Sequence, residues 1–389
     1  MPRELRPFVL VAIALVVAAL LLEIANGRFW SSDLRVYWSA ANAMMENTPV
    51  YGIAFGESTG FFKYAPVCAM AFIPATMLPF DVVAVIHFLL TGVALVIAVI
   101  TTERLLMRHV FGHYVRAIGI RAYLLLACVA VLLTRELHLG NVNLWLVVGV
   151  VIATERLLSG STDLAGLIFG LLWLVKPYLG LMAIPLMWRG HWRIIGVAVI
   201  TSVVGLIIPF VVLGPVRAWQ LHLDWASAMA SHSGYLTSPD TFASLVNRWT
   251  SLPGPVPSWL FILMAVVFLM LMDRNRSADP EQRSLAAVSG IWTALAIVPN
   301  LVVTDQEHFL FSLPLIALTL ALLFHRRSPW SVGIFVVAMV GYGTRSSDLW
   351  GSTFEGHLVA AGVLGAGNTL LILVAQVLLA GHRAWAKQG

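Results

Sequence analysis

Apolar runs recur from one end of the sequence to the other, several near the ~20 residues that a helix needs to cross a bilayer. The first occupies about 7–23, and others lie at about 81–102, 122–135, 142–158 and 194–213. GLLWLVKPYLGLMAIPLMW reads as a hairpin of two short runs broken at Pro177. Five more runs follow: one leads to MDRNRSADPEQR, two meet at TDQEH, and two flank YGTRSSDLWGSTFEGH. Between the first two long runs the pattern changes. In SSDLRVYWSAANAMMENTPVY, the residues Val36, Tyr37, Ala40, Ala41 and Met44 share one face at helical spacing. The segment is too short to span and too apolar to float, so it is expected to lie in the interface plane. GFFKYAPVCAMAFIPATMLPFD adds Phe61, Phe62, Lys63 and Tyr64 ahead of a second short apolar helix, broken by Pro66, Pro74 and Pro79. Together the two segments would roof a cavity at the membrane surface, a shape that suits a lipid-linked substrate.

Composition removes the soluble alternatives. The chain is 59% hydrophobic and 11% charged with a mean hydropathy of +0.87, whereas a soluble domain carries roughly a quarter charged residues. The expected class is an all-α polytopic membrane protein of about 11–12 transmembrane helices, forming a single membrane domain over 1–389. Two loops stand out in it, 24–80 with the two interfacial helices and 214–257. The net charge of +5 comes from scattered loops and makes no basic face for nucleic acid. Cys68 and Cys128 sit in apolar surroundings, and no zinc spacing, disulfide framework or acidic pair for a nucleotide-bound metal is present. No internal repeat of the kind that builds many secondary transporters is evident. The N-terminal run has a charged flank but no clear small-residue cleavage site, and reads as an uncleaved first helix.

Lysine and arginine concentrate in cytoplasmic loops. With both termini cytoplasmic, about 16 Lys and Arg fall inside and about 8 outside, while about 7 acidic residues fall inside and about 12 outside. Loops 24–80 and 214–257, RELHLGN, VKPY and TDQEH then share the outer face.

The candidate chemistry gathers on that face. Asp33 follows Ser31 and Ser32 in a helix-start pattern, so it reads either as a helix cap or as a reactive carboxylate. Lys176 interrupts an apolar hairpin, and a charge there needs a partner, a function or a route to the interface. Asp305, Glu307 and His308 stand at the mouth of a late helix, either as ordinary loop polar groups or as part of a site. A carboxylate that takes a proton from an attacking hydroxyl, with Lys or His facing a departing phosphate, is what glycosyl transfer from a lipid phosphate requires.

Several stretches, in order and over most of the chain, resemble the bacterial polyprenol-phosphate-mannose-dependent alpha-mannosyltransferases, integral membrane enzymes of the C-type glycosyltransferase fold. They are DLRVYWSAANAMMENTPVY, FFKYAPVCAMAFIPATMLPF, HLGNVNLWLVVGV, LLWLVKPYLGLMAIPLMWRGHWR and EHFLFSLPLIAL. The resemblance implies an inverting transfer of a hexose, mannose first, from a polyprenyl-phosphate sugar to a glycolipid or glycan acceptor. It makes Asp33 the general base, places Lys176, His308 and Lys63 at the donor phosphate, and lets Tyr37, Tyr64 and Glu307 line the site. The lipid-linked sugar is substrate, and neither cofactor nor metal is implied. The family often carries paired histidines where this chain has Glu307-His308. A bacterial inner-membrane location with an extracytoplasmic active site goes with it. Arabinose or glucose in place of mannose, a lipid or sugar transporter, and a receptor-like binder are the competing readings. The polar loop around His222, Asp224, His232 and Asp240 is the expected acceptor contact.

Overall fold

The computed structural model describes residues 3–55, 60–111, 117–232, 238–251, 280–301, 305–325 and 328–385. The span expected ahead of MDRNRSADPEQR lies outside the described residues. Within them the chain is helical almost throughout, its only β feature an isolated bridge between Ala54 and Phe61.

Among the described residues, seven helices are long and apolar enough to cross a membrane: Arg3–Ala25, Phe80–Val110, Ile118–Leu139, Trp192–Leu213, Gln282–Leu301, Gln306–His325 and Val363–Gly381. Their outward faces carry bare aliphatic side chains such as Leu10, Ile200, Val211 and Val377, which only hydrocarbon would stabilise. The protein is an all-α, multi-pass membrane protein.

In chain order the helices are α1 (Arg6–Ala25), α2 (Ser32–Met45), α3 (Pro66–Phe72), α4 (Phe80–Leu105), α5 (Ile118–Leu139), α6 (Asn143–Leu158) and α7 (Thr162–Val175). They continue with α8 (Ala183–Trp188), α9 (Trp192–Leu213), α10 (Pro215–His232), α11 (Phe242–Thr250), α12 (Pro280–Leu301) and α13 (Leu313–His325). The last four are α14 (Pro329–Tyr342), α15 (Ser347–Trp350), α16 (Ser352–Ala360) and α17 (Val363–Trp385).

The expected interfacial helix is α2, and Val36, Tyr37, Ala40, Ala41 and Met44 are all buried on it. They pack against α3 and the following 3-10 turn, Ile73–Met77. Proline places the breaks here. Pro66 starts α3, and Pro79 occupies the N-cap of α4, where its lack of an N–H costs nothing. The amphipathic α10 closes over this layer. Trp225 donates to the Lys63 carbonyl at 3.1 Å, and Arg217 donates to that of Met44.

The third long run extends beyond the expected 122–135 at both ends. Arg121 and Glu136 look like loop residues in sequence, yet each is buried with a partner inside the bundle. Arg121 pairs with Glu103 of α4. Glu136 accepts from Asn143 Nδ2 at 2.9 Å and from the Leu144 N–H at 3.1 Å. At 22 residues α5 is about 33 Å long, a full bilayer crossing.

The short α7 is pressed against α9 through Gly166 and Gly170. A Cβ on Gly170 would come within 2.4 Å of the Ala198 carbonyl and one on Gly166 within 2.7 Å of that of Ile194. Small residues four apart let backbones approach in this way, and helix association in lipid depends on such packing. The close fit anchors the helix whose C-terminal end presents Lys176.

Candidate active site

At one end of the bundle the α1–α2 junction, the α5–α6 turn, the end of α7 and the 305–312 segment meet. The opposite end holds separate ion pairs, Arg121 with Glu103 and Arg193 with Asp163.

The α5–α6 turn organises the site. Gly140 takes the left-handed conformation, φ +68°, and a Cβ there would meet Leu34 Cβ at 2.9 Å. The turn delivers two amides in quick succession. Asn141 donates through Nδ2 to Asp33 Oδ2 at 2.7 Å, and Asn143 accepts through Oδ1 from Lys176 Nζ at 2.7 Å.

Asp33 lies in the first turn of α2, and Ser31 holds the N-cap position with no side-chain capping bond. The carboxylate is therefore not spent on a cap. Its pKa is raised to about 6, first by burial and then by Glu307 and Asp305, against the opposing pull of Lys176 and Lys63. At neutral pH it is largely ionised and can take a proton. Lys63 lies on the approach to α3, half-buried, and burial holds its ammonium below the usual lysine range while Asp305 and Asp33 oppose that shift. Tyr37 donates to Asn141 Oδ1 at 3.2 Å, and its hydroxyl also meets that of Tyr64 at 3.1 Å. Burial and the neighbouring Tyr64 and Asp33 push the Tyr37 phenol well above its ordinary pKa, so it stays neutral.

Lys176 is buried where α7 gives way to the 3-10 turn Pro177–Met182, between the rings of Tyr178 and Phe311. Nζ also lies 2.6 Å from His308 Nε2. The His308 Nδ1 faces the Asp305 carbonyl at 3.1 Å. A carbonyl only accepts, so Nδ1 carries the proton and Nε2 accepts from the lysine. Among the described residues two of the three ammonium N–H groups are thus engaged.

Glu307 is fully buried; Oε1 receives Arg135 from α5, while Oε2 has no partner among the described residues. Asp305, Glu307 and His308 present ligand atoms within 4.8 Å of one another, the one set of three among the described residues that could hold a metal ion. Both His308 nitrogens are already engaged, Nδ1 with the Asp305 carbonyl and Nε2 with the Lys176 ammonium, so a cation there would have to replace one of these two partners.

Of the residues singled out in sequence, Asp33, Tyr37, Lys63, Tyr64, Lys176, Glu307 and His308 all come together here. The described ones around His222 have separate partners. His222 stacks on Phe210, Asp224 takes Gln220, Asp240 is buried against Arg345, and the His232 side chain lies outside the described residues. Sequence reasoning missed Asn141, Asn143, Glu136 and Arg135. The GNVN turn was the visible signal for the two amides.

A hydrogen-bonded carboxylate and an ammonium, each held by an amide of one turn at one end of a membrane bundle, belong to the equipment of a group-transfer enzyme. The family model of glycosyltransferase family 87 matches residues 61–299, more than half of the chain. The chain belongs to that family and is a membrane glycosyltransferase. The match contains Lys63, Tyr64, Asn141, Asn143 and Lys176, with Asp33 before it and Glu307 and His308 after it. Comparison with curated proteins and with solved structures produced no match.

Proposed function

We propose that the protein transfers a hexose, mannose in the first instance, from a polyprenyl phosphate to a glycolipid or glycan acceptor, with inversion at the anomeric carbon. Asp33 removes the proton from the acceptor hydroxyl as its oxygen bonds to the anomeric carbon. The bond from that carbon to the phosphate oxygen breaks, and its electron pair leaves with the polyprenyl phosphate. Lys176 and Lys63 stabilise the negative charge that develops there, and His308 stands beside Lys176. Tyr37, Tyr64 and Glu307 line the space between.

One observation carries this reading. A carboxylate with an open oxygen and an ammonium with an open N–H share one rim of the bundle, each held by an amide of the same turn. The single membrane domain, 1–389, sits in a bacterial inner membrane with both termini cytoplasmic and the site on the outer face, where about 8 of the 24 Lys and Arg lie. No cofactor is used.

The test uses purified protein with radiolabelled polyprenyl-phosphate-mannose and a panel of glycolipid acceptors, comparing wild type with Asp33→Asn. Transfer by wild type and none by the variant, with donor binding retained, supports the reading. Equal transfer by both removes Asp33 as base. Arabinosyl and glucosyl donors in parallel decide the sugar.

A further inference from the structure

Asp33 has two carboxylate oxygens, and the structure treats them differently. Oδ2 accepts from Asn141 at 2.7 Å, while no bond from the described residues reaches Oδ1. The Asn141 amide cannot be turned the other way without loss. Its Oδ1 accepts from the Val142 main-chain N–H at 2.8 Å, a group that only donates, and from the Tyr37 hydroxyl at 3.2 Å. Its own carbonyl is met by His87 Nε2 at 3.2 Å, and the residue is buried. Main chain and side chain are both fixed, and the Nδ2 donor has a single direction.

We infer that Asn141 is the positioning residue of this glycosyltransferase: its Nδ2 pins Asp33 Oδ2, so that Oδ1 alone faces the acceptor and receives the proton. The inference rests on Asp33 being the base. A donor bonded to a carboxylate favours the ionised form. Burial, then Glu307 and Asp305 of the 305–312 segment, raise the Asp33 pKa, and Lys176 beyond α7 and Lys63 ahead of α3 oppose them; the Nδ2 donor at 2.7 Å stands by its geometry on the lysines' side. Tyr37 of the same helix and the neighbouring Tyr64 stay protonated, adding no charge. Without the donor, the carboxylate both rotates and holds its proton more tightly.

The test is Asn141→Asp, which keeps the acceptor for the Val142 N–H and replaces the donor by a second carboxylate. Asn141→Ser, which keeps a small polar group in the turn, guards against misfolding. In both, kcat for mannosyl transfer is expected to fall about tenfold to a hundredfold, the cost of a misplaced reacting group. The KM for donor should change little. The acid limb of the kcat–pH profile should move to higher pH, further in Asn141→Asp than in Asn141→Ser. A loss of kcat with the acid limb unmoved in both would reduce Asn141 to scaffolding and overturn the inference, as would unchanged kcat. Asp33→Asn, run alongside, separates the two levels. If it is inactive while the Asn141 variants behave as wild type, positioning alone fails. If it retains wild-type turnover, the assignment of the base fails first.

Discussion

Around Asn368 and around Asp33 the bundle gathers polar side chains into two hydrogen-bonded clusters. The Asn368 amide from α17 accepts from Tyr342 of α14 at 2.6 Å and from Ser312 at 2.7 Å. It donates to the Ala296 carbonyl of α12 at 2.8 Å and to Asn300. Two donors and two acceptors are all engaged, which is the full capacity of a carboxamide. The cluster around Asp33 is as densely built but stops short of closure. Among the described residues, Asp33 Oδ1, one N–H of Lys176 and Glu307 Oε2 remain open. Leaving such groups open costs stability, so a closed network reads as helix-to-helix glue and an open one as a receptor for something polar. The two clusters should fail differently when broken.

The largest effect is expected at the open cluster. Asp33→Asn should lower transfer by roughly a thousandfold, within the range of losing a general base, while the thermal midpoint in detergent stays put. Lys176→Met follows, with a loss of about a hundredfold in kcat/KM from the missing charge stabilisation. Its midpoint should hold, because relief of a buried charge offsets the donor lost to Asn143 Oδ1 and His308 Nε2. A measured fall in midpoint for either variant would blur the contrast.

At the closed cluster the signs reverse. Asn368→Leu strands several buried partners and should cost about 2 kcal/mol of stability, read as a lower midpoint, while turnover per folded molecule remains near wild type. The wild-type pH profile sharpens the comparison. With the Asp33 pKa raised to about 6, the active ionised form is lost as pH falls through that value. Transfer should then drop about tenfold per unit below it and level off above pH 7. The smallest effect is expected from a chelator. Both His308 nitrogens already have partners, Lys176 and the Asp305 carbonyl, so EDTA should leave the rate within about twofold. Loss of activity restored by one divalent metal would reassign that corner of the site.

Much of this was legible in the sequence, for identifiable reasons. The buried face of α2 follows from period alone, since Val36, Tyr37, Ala40, Ala41 and Met44 recur at helical spacing. Lys176 announces itself because a charge in an apolar hairpin needs explanation. The extent of α5 was hidden because Arg121 and Glu136 read as polar ends, and only the fold supplies the Glu103, Asn143 and Leu144 groups that satisfy them. Asn141 and Asn143 were hidden for another reason. An amide in a turn carries no charge, and its usual role is to bond its own backbone. Only the tertiary contacts, 108 and 33 residues away in sequence, make the two amides parts of a site.

The α5–α6 turn also bears on which lengths of chain a lineage can inherit. Asn141 holds the carboxylate and Asn143 the ammonium, so the spacing between the two halves of the site is set within three consecutive residues. Apolar substitutions of similar volume elsewhere in the bundle can be absorbed by side-chain repacking. A single residue inserted or deleted between these two asparagines is not, because it changes the offset between the amide that holds Asp33 and the one that holds Lys176. Drift can therefore revise the walls of this site residue by residue, while the turn admits no indel.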